Sequence, residues 1–277
     1  MTITADLGGK SYVLGKGKVF FDRYPNGVTI AATTQGEGER YLGNTPEFST
    51  SSASESLDHY SSEGGIKIKD DSVQLSLDRT GKMVVDNISA DNIALFFLGS
   101  KATISQASQA GLSTIFENVN KGRFYQAGVS ASAPAGLRNI KTVVLKKETT
   151  PDSGTFDVTI TLSGNYQIDA DLGRIYLEAD APDITEGINL KLEFGTDAST
   201  REQVVSGSDA IYGALRFVSD NPKGANRDYY FPYVKMSPDG DYALKGDEWQ
   251  QIGFTFEATK KADNIEVAYV DGRPTLV

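Results

Sequence analysis

Phe156-Asp157-Val158-Thr159-Ile160-Thr161-Leu162 decides the fold class. Apolar side chains at 156, 158, 160 and 162 alternate with polar ones. Successive side chains of an extended chain point to opposite faces, so the stretch reads as a half-buried strand. The same two-residue period recurs at Val73, Leu75 and Leu77; at Leu190, Leu192 and Phe194; at Ile252, Phe254 and Phe256; and at Ile265, Val267 and Tyr269. Helical spacing is rare beside it, so the chain is expected to be mainly β. Thr80-Gly81, Ser163-Gly164, Leu172-Gly173, Asp239-Gly240 and Asp271-Gly272 supply residues that tolerate positive φ, as hairpin turns require.

Working outward, one helix is expected over residues 89–98, with Ser89 or Asp91 as its N-cap and Gly99 in the left-handed position that ends it. Ile93, Phe96 and Phe97 share a face, and Leu95 and Leu98 make the rest apolar, so the helix should be sandwiched against a sheet or a neighbour. Residues 43–71 read differently. Seven serines from Ser49 to Ser62 precede Gly64-Gly65, and the stretch is taken as a long polar loop anchored by Phe48, Leu57, Tyr60, Ile66 and Ile68. Residues 112–200 read as an inserted β-domain, dividing a main domain of residues 17–111 and 201–277.

Composition removes several function classes. The 277 residues contain no cysteine and one histidine, His59, so disulfide scaffolds, thiolate metal sites and histidine-based triads lack their parts. Thirty-seven acids against 27 bases give a net charge of -10, which repels phosphates and opposes sequence-independent nucleic-acid binding. The first residues carry neither a basic nor an apolar leader pattern, so no secretory signal is expected. The apolar run 93–98 is far shorter than the ~20 residues of a membrane-spanning helix, and no membrane role is expected.

Short motifs add no chemistry. Gly15-Lys16-Gly17-Lys18 and Gly36-Glu37-Gly38 stop short of a phosphate-binding loop, and Asp169-Ala170-Asp171 and Asp239-Gly240-Asp241 lack the remaining ligands of a calcium loop. The first two read as a turn or flexible arm and the last two as hairpin turns, no cofactor or metal is expected, and no residue is assigned a catalytic role. Trp249 reads as a core or interface aromatic. Pro232, among Tyr229, Tyr230, Phe231 and Tyr233, confines its strand to a sheet edge or start.

The stretch Leu42-Gly43-Asn44-Thr45-Pro46-Glu47-Phe48, then Glu55-Ser56-Leu57-Asp58-His59-Tyr60-Ser61-Ser62 and Gly65-Ile66-Lys67, resembles the major tail tube proteins of long, noncontractile-tailed bacteriophages. The resemblance continues through Gly122-Arg123-Phe124-Tyr125-Gln126, Gly173-Arg174-Ile175-Tyr176, Gly213-Ala214-Leu215-Arg216-Phe217, Phe231-Pro232-Tyr233-Val234 and Leu244-Lys245-Gly246-Asp247-Glu248-Trp249-Gln250. It implies a tube-forming β-sandwich or barrel with one short flanking helix, a flexible N-terminal arm at residues 1–16, a long inter-subunit loop and an inserted domain outside the wall. It further implies a non-enzymatic virion subunit, made in the bacterial cytoplasm, that stacks in hexameric rings around DNA in transit. Its implied partners are itself, a tape-measure protein inside the tube, and tail terminator and distal tail proteins at the ends. By motif match the inter-subunit contacts fall to Pro46, Glu47, Phe48, Glu55, Leu57, Asp58, His59, Tyr60, Gly65, Ile66 and Lys67. The competing readings are a carbohydrate-binding β-sandwich or adhesin, with Trp249 or Tyr230 stacking on sugar, and a two-carboxylate glycosidase.

Overall fold

The computed structural model describes residues 11–151 and 153–274. The chain divides into two compact units, Met1–Ala102 with Val204–Val277, and Thr103–Gln203. The first carries β1 (Gly17–Arg23), β2 (Arg40–Tyr41), β3 (Glu47–Ser61), β4 (Ile68–Val85), α1 (Ala90–Phe96) and the start of β5 (Ser100–Gln106). The second carries β6 (Gln109–Phe116), β7 (Phe124–Gln126), β8 (Ile140–Lys147), β9 (Val158–Ile160), β10 (Tyr166–Asp169), β11 (Arg174–Leu177) and β12 (Leu190–Thr196). After β13 (Ser199–Val205), which pairs with β5, the first unit resumes with β14 (Ile211–Ser219), β15 (Arg227–Asp239), β16 (Ile252–Ala258) and β17 (Tyr269–Gly272). The protein is therefore mainly β, with a single short helix among the described residues.

In the first unit one antiparallel sheet runs β2-β1-β14-β15-β16-β4-β3, with β17 added beside β15. The sheet curls on itself. Phe48, on the last strand of that path, stacks on Phe217 of β14 at 5.3 Å and on Phe256 of β16 at 5.8 Å, which a flat sheet would not allow. Alternate residues of β16 and β4, namely Ile252, Phe254 and Phe256 with Met83 and Val85, line the interior. Leu95 of α1 joins the same core.

The second unit is a β-sandwich. Its sheets, β10-β11-β7 and β6-β12-β8-β9, share one core in which Ile175 and Leu177 of one sheet meet Leu145, Leu190 and Leu192 of the other. Of the seven residues that alternate from Phe156 to Leu162, only Val158–Ile160 form a strand, and Ile160 alone is buried. The chain turns at Leu162, whose carbonyl accepts the N–H of Asn165 at 3.2 Å. Of Ile265, Val267 and Tyr269, Tyr269 alone lies in a strand; Ile265 closes a turn on Ala262.

Helix α1 is shorter than expected and ends differently. Ser89 caps it, accepting the N–H of Asn92 at 3.2 Å. The left-handed residue is Leu98 (φ 51°) rather than Gly99, whose N–H donates to Ala94 at 2.8 Å. Gly99 is glycine because a Cβ there would strike the Val205 carbonyl. The helix packs against the sheet, burying Asn92, Ala94 and Leu95, while Phe97 stays 43% exposed.

Asn92 is the polar node beneath the helix. Fully buried, it donates to the carbonyls of Leu42 and Asn87, each at 2.8 Å, and accepts from the Arg40 guanidinium at 2.9 Å. Burial holds Arg40 below its usual pKa. Asn92→Ala strands the buried Leu42 carbonyl and removes the partner of the Arg40 guanidinium, while the Asn87 carbonyl keeps its bond from the Ser89 N–H, and is expected to destabilise the first unit by about 2 kcal/mol, read by urea unfolding.

Three turn and edge expectations are corrected. Gly81 sits in the middle of β4, not in a turn, and makes room there for the Phe256 ring that a side chain would strike. Gly272 pairs with Arg227 inside β17. Pro232 lies within an interior strand: β15 pairs with β17 up to Tyr230 and with β16 from Val234, and its pairing with β14 shifts register between Phe231 and Val234. The missing N–H thus falls where one neighbour ends, the next begins and a bulge relaxes the third.

Candidate assembly surface

The expected polar loop is a β-hairpin. No proline or glycine interrupts residues 47–63 or 66–80, so nothing breaks either strand, and Gly64-Gly65 supplies the turn between them. Pairing runs from Glu47 with Val84 to Ser61 with Ile68. The backbone groups that a loop would leave unpaired are satisfied by the facing strand, which is why the serine-rich composition misled. The connection at the tip holds Gly65, Ile66 and Lys67, all exposed.

Beyond the sheet this hairpin stands as a two-stranded ribbon. β16 covers β4 only from Arg79 to Val85, so among the described residues no strand lies on that side of residues 68–78. β3 is the sheet's last strand, and its far edge has no strand partner among the described residues. From Ala53 to Ser61 the ribbon extends about 30 Å at ~3.3 Å per residue. Two register shifts, at Glu55/Ser56 and His59/Tyr60, leave Leu75 and Asp70 as the extra residues on β4.

Alternation along β3 gives the ribbon two unlike faces. Leu57 lies directly opposite Val73, His59 opposite Asp71 and Ser61 opposite Ile68, all on one face, with Leu75 bulged beside them. The other face pairs Asp58 with Ser72 and Tyr60 with Lys69. Asp58 accepts from Lys69 at 2.6 Å and from Ser72 at 2.7 Å, which hold its carboxyl below the usual range, and His59 contacts Asp70 at 2.6 Å. These links tie strand to strand on the ribbon. The aliphatic face has no such cover: Leu57, Val73, Leu75 and Ile68 are 58–66% exposed. A ribbon two strands wide has no core of its own, so this face stays wet in an isolated chain.

The eleven motif-matched residues thus separate. Pro46 and Glu47 sit at the ribbon's base, and Glu55, Leu57, Asp58, His59 and Tyr60 lie along it. Gly65, Ile66 and Lys67 form the tip, whereas the Phe48 ring is taken up by the stack with Phe217 and Phe256. Val73, Leu75 and Leu77 read as a core-facing row, yet all three are exposed. Residues 1–10 of the expected arm fall outside the described residues; Leu14 bridges Lys223, and Lys16 donates to Asn221 at 2.9 Å.

Other candidates fare differently. Trp249 is 93% exposed, which rules out a core role. Tyr230 is covered by the Arg216 guanidinium at 4.3 Å, and Tyr233 is stacked between Tyr24 and Tyr212 at 6.3 and 5.5 Å, so the expected exposed aromatic edge is closed. The N–H groups of Gly36 and Gly38 donate to Asp22 at 3.2 and 2.7 Å, which leaves them unable to cradle a phosphate. A cleft of about 540 Å³ along β3, β4, β15 and β16 is lined by hydroxyls, Lys82, Lys235 and one carboxylate, Glu257. It therefore offers no carboxylate pair for glycoside hydrolysis. Among the described residues no group of three or more His, Cys, Asp or Glu could hold a metal ion, and no helix is long and apolar enough to cross a membrane.

Residues 12–269 match the model of a family described as "Protein of unknown function UCP028589". No curated protein matches the chain.

Proposed function

The chain belongs to that family, and from this premise we propose that it is a non-enzymatic structural subunit that polymerises into a hollow tube. The tube is a bacteriophage tail of stacked hexameric rings, and it conducts DNA. One observation carries the reading: a ribbon about 30 Å long whose strand edges and aliphatic face have no cover among the described residues of its own unit. A free edge of this length promotes association, and a second copy that completes the sheet removes both liabilities together.

Charge supports the same role. Six copies at -10 each give -60 per ring (6 × -10), a field felt within a Debye length of roughly 8 Å, so DNA passes without adhering. In this reading the protein belongs to the virion, encloses a tape-measure protein, and meets terminator and distal tail proteins at the tube's ends. Electron microscopy of the concentrated purified protein is expected to show rings or hollow tubes. Isolated particles at every concentration would reject the proposal. A second reading, glycan binding, is favoured by the exposed Trp249 and requires the isolated monomer to bind sugar with loss on Trp249→Ala.

A further inference from the structure

A cavity of about 440 Å³ lies in the first unit, bounded by β1, β2, α1 and the start of β5, and two arginines line it. Arg40 of β2 faces Phe21 of β1, and Arg23 lies two residues beyond Phe21. Both arginines therefore stand on one face as diagonal neighbours, roughly 7–8 Å apart at the backbone. Among the described residues each guanidinium spends one N–H on protein: Arg23 on the Gly99 carbonyl at 3.1 Å and Arg40 on Asn92 at 2.9 Å. The neighbouring acids are engaged elsewhere. Asp91 pairs with Lys101 at 2.8 Å and Glu39 with Arg216 at 2.6 Å, while Asp22 accepts the Gly36 and Gly38 N–H groups. Glu37 is the remaining carboxylate of the lining; it is exposed and ion-pairs with neither arginine. Two like charges side by side repel, and burial adds to the cost at Arg40. The buried Phe21 and Leu95 in the same wall keep out water that would screen them.

We propose that Arg23 and Arg40 form an oxyanion site, which takes the oxygens of a phosphate or a carboxylate on their unspent N–H groups. An anion between the two guanidiniums replaces their repulsion with two charge-assisted contacts. The site is built of side chains, since the nearby Gly36 and Gly38 N–H groups are already taken by Asp22. It stands independently of the self-assembly reading. Two sources supply the same chemistry: a free anion, or an acidic side chain from the ribbon of a second copy. Residues 53–78 carry Glu55, Asp58, Glu63, Asp70, Asp71 and Asp78 against Lys67 and Lys69, a net charge of -4 (2 − 6), complementary to a pair of arginines.

Titration calorimetry of the dilute, unassembled full chain with inorganic phosphate, against chloride at matched ionic strength, tests the site. One phosphate is expected to bind per chain. Arg23→Gln is expected to weaken it at least about tenfold, and Glu37→Gln, which removes the exposed rim carboxylate, to tighten it about threefold. Lys82→Gln, in the separate cleft along β3, β4, β15 and β16, is expected to leave it unchanged. Phosphate that binds no better than chloride, or that binds Arg23→Gln as well as the parent, or that is lost in Lys82→Gln, would overturn the proposal. Tube growth then separates the sources. Phosphate that blocks assembly where chloride does not identifies the ribbon carboxylate of a second copy, and tubes that grow undisturbed with phosphate bound identify a free anion. Absence of tubes under any condition would reject the self-assembly reading and leave the calorimetry to decide the site.

Discussion

Joining Ala53 to Asp78 through an Asn-Gly turn, with residues 54–77 removed, is expected to leave a folded protein that forms no tubes. Ala53 and Asp78 face each other across the hairpin, so a two-residue turn can close the shortened strands without shifting their register. None of the removed residues belongs to the core: Phe48, Met83 and Val85, which pack inside, lie outside the deletion. The thermal midpoint should therefore move by no more than about 3 °C, the equivalent of ~1 kcal/mol in a domain of this size. Assembly should vanish, because the free edges and the aliphatic face go together. The paired change Leu57→Asp and Val73→Asp tests the same point with the backbone intact. Charges at two exposed positions cost little in the monomer, but burying them unpaired in an interface is prohibitive. Efficient tube formation by either protein would refute the role given to the ribbon.

Phe256→Ala is expected to do the opposite, removing stability rather than association. Its ring is 2% exposed, lies 5.4 Å from Phe231 and 5.8 Å from Phe48, and fills the space over Gly81. Truncation leaves a cavity bounded by backbone on one side, which cannot collapse to fill it, so the loss should be about 3–5 kcal/mol. The second unit has its own core, with no member in common with the first. Calorimetry should then resolve a transition that moves sharply and one that stays in place. A single transition shifted as a whole would show that the two cores unfold together, and a loss below about 1 kcal/mol would show that the aromatic stack around Gly81 is dispensable.

Local signals were legible in the sequence where local physics decides them. The two-residue period at Leu190, Leu192 and Phe194 and at Ile252, Phe254 and Phe256 marks buried strand faces in both places. Ser89 caps its helix, and Gly164 and Gly173 take positive φ in turns. The hairpin of residues 47–85 was also within reach: two long runs free of Gly and Pro flank Gly64-Gly65, and Val73, Leu75 and Leu77 alternate within the second. Serine content obscured it, because a polar composition reads as a loop when the strand is exposed on both faces.

The amino-acid order alone settles which residues share a face, where the backbone turns, and which chemistry is absent for want of cysteine and of more than one histidine. It does not settle which face is covered. Val73 and Leu75 alternate as regularly as Phe254 and Phe256, yet the first pair is exposed and the second buried, because β16 lies inside the curled sheet while β4 outgrows it. Likewise Pro232 fits an interior strand only because two neighbours meet beside it, and Trp249 stands in solvent because no strand arrives to cover it. Coverage is a property of contacts such as Val85 with Ile252, distant in sequence, and the periodicity of a single segment holds no information about them.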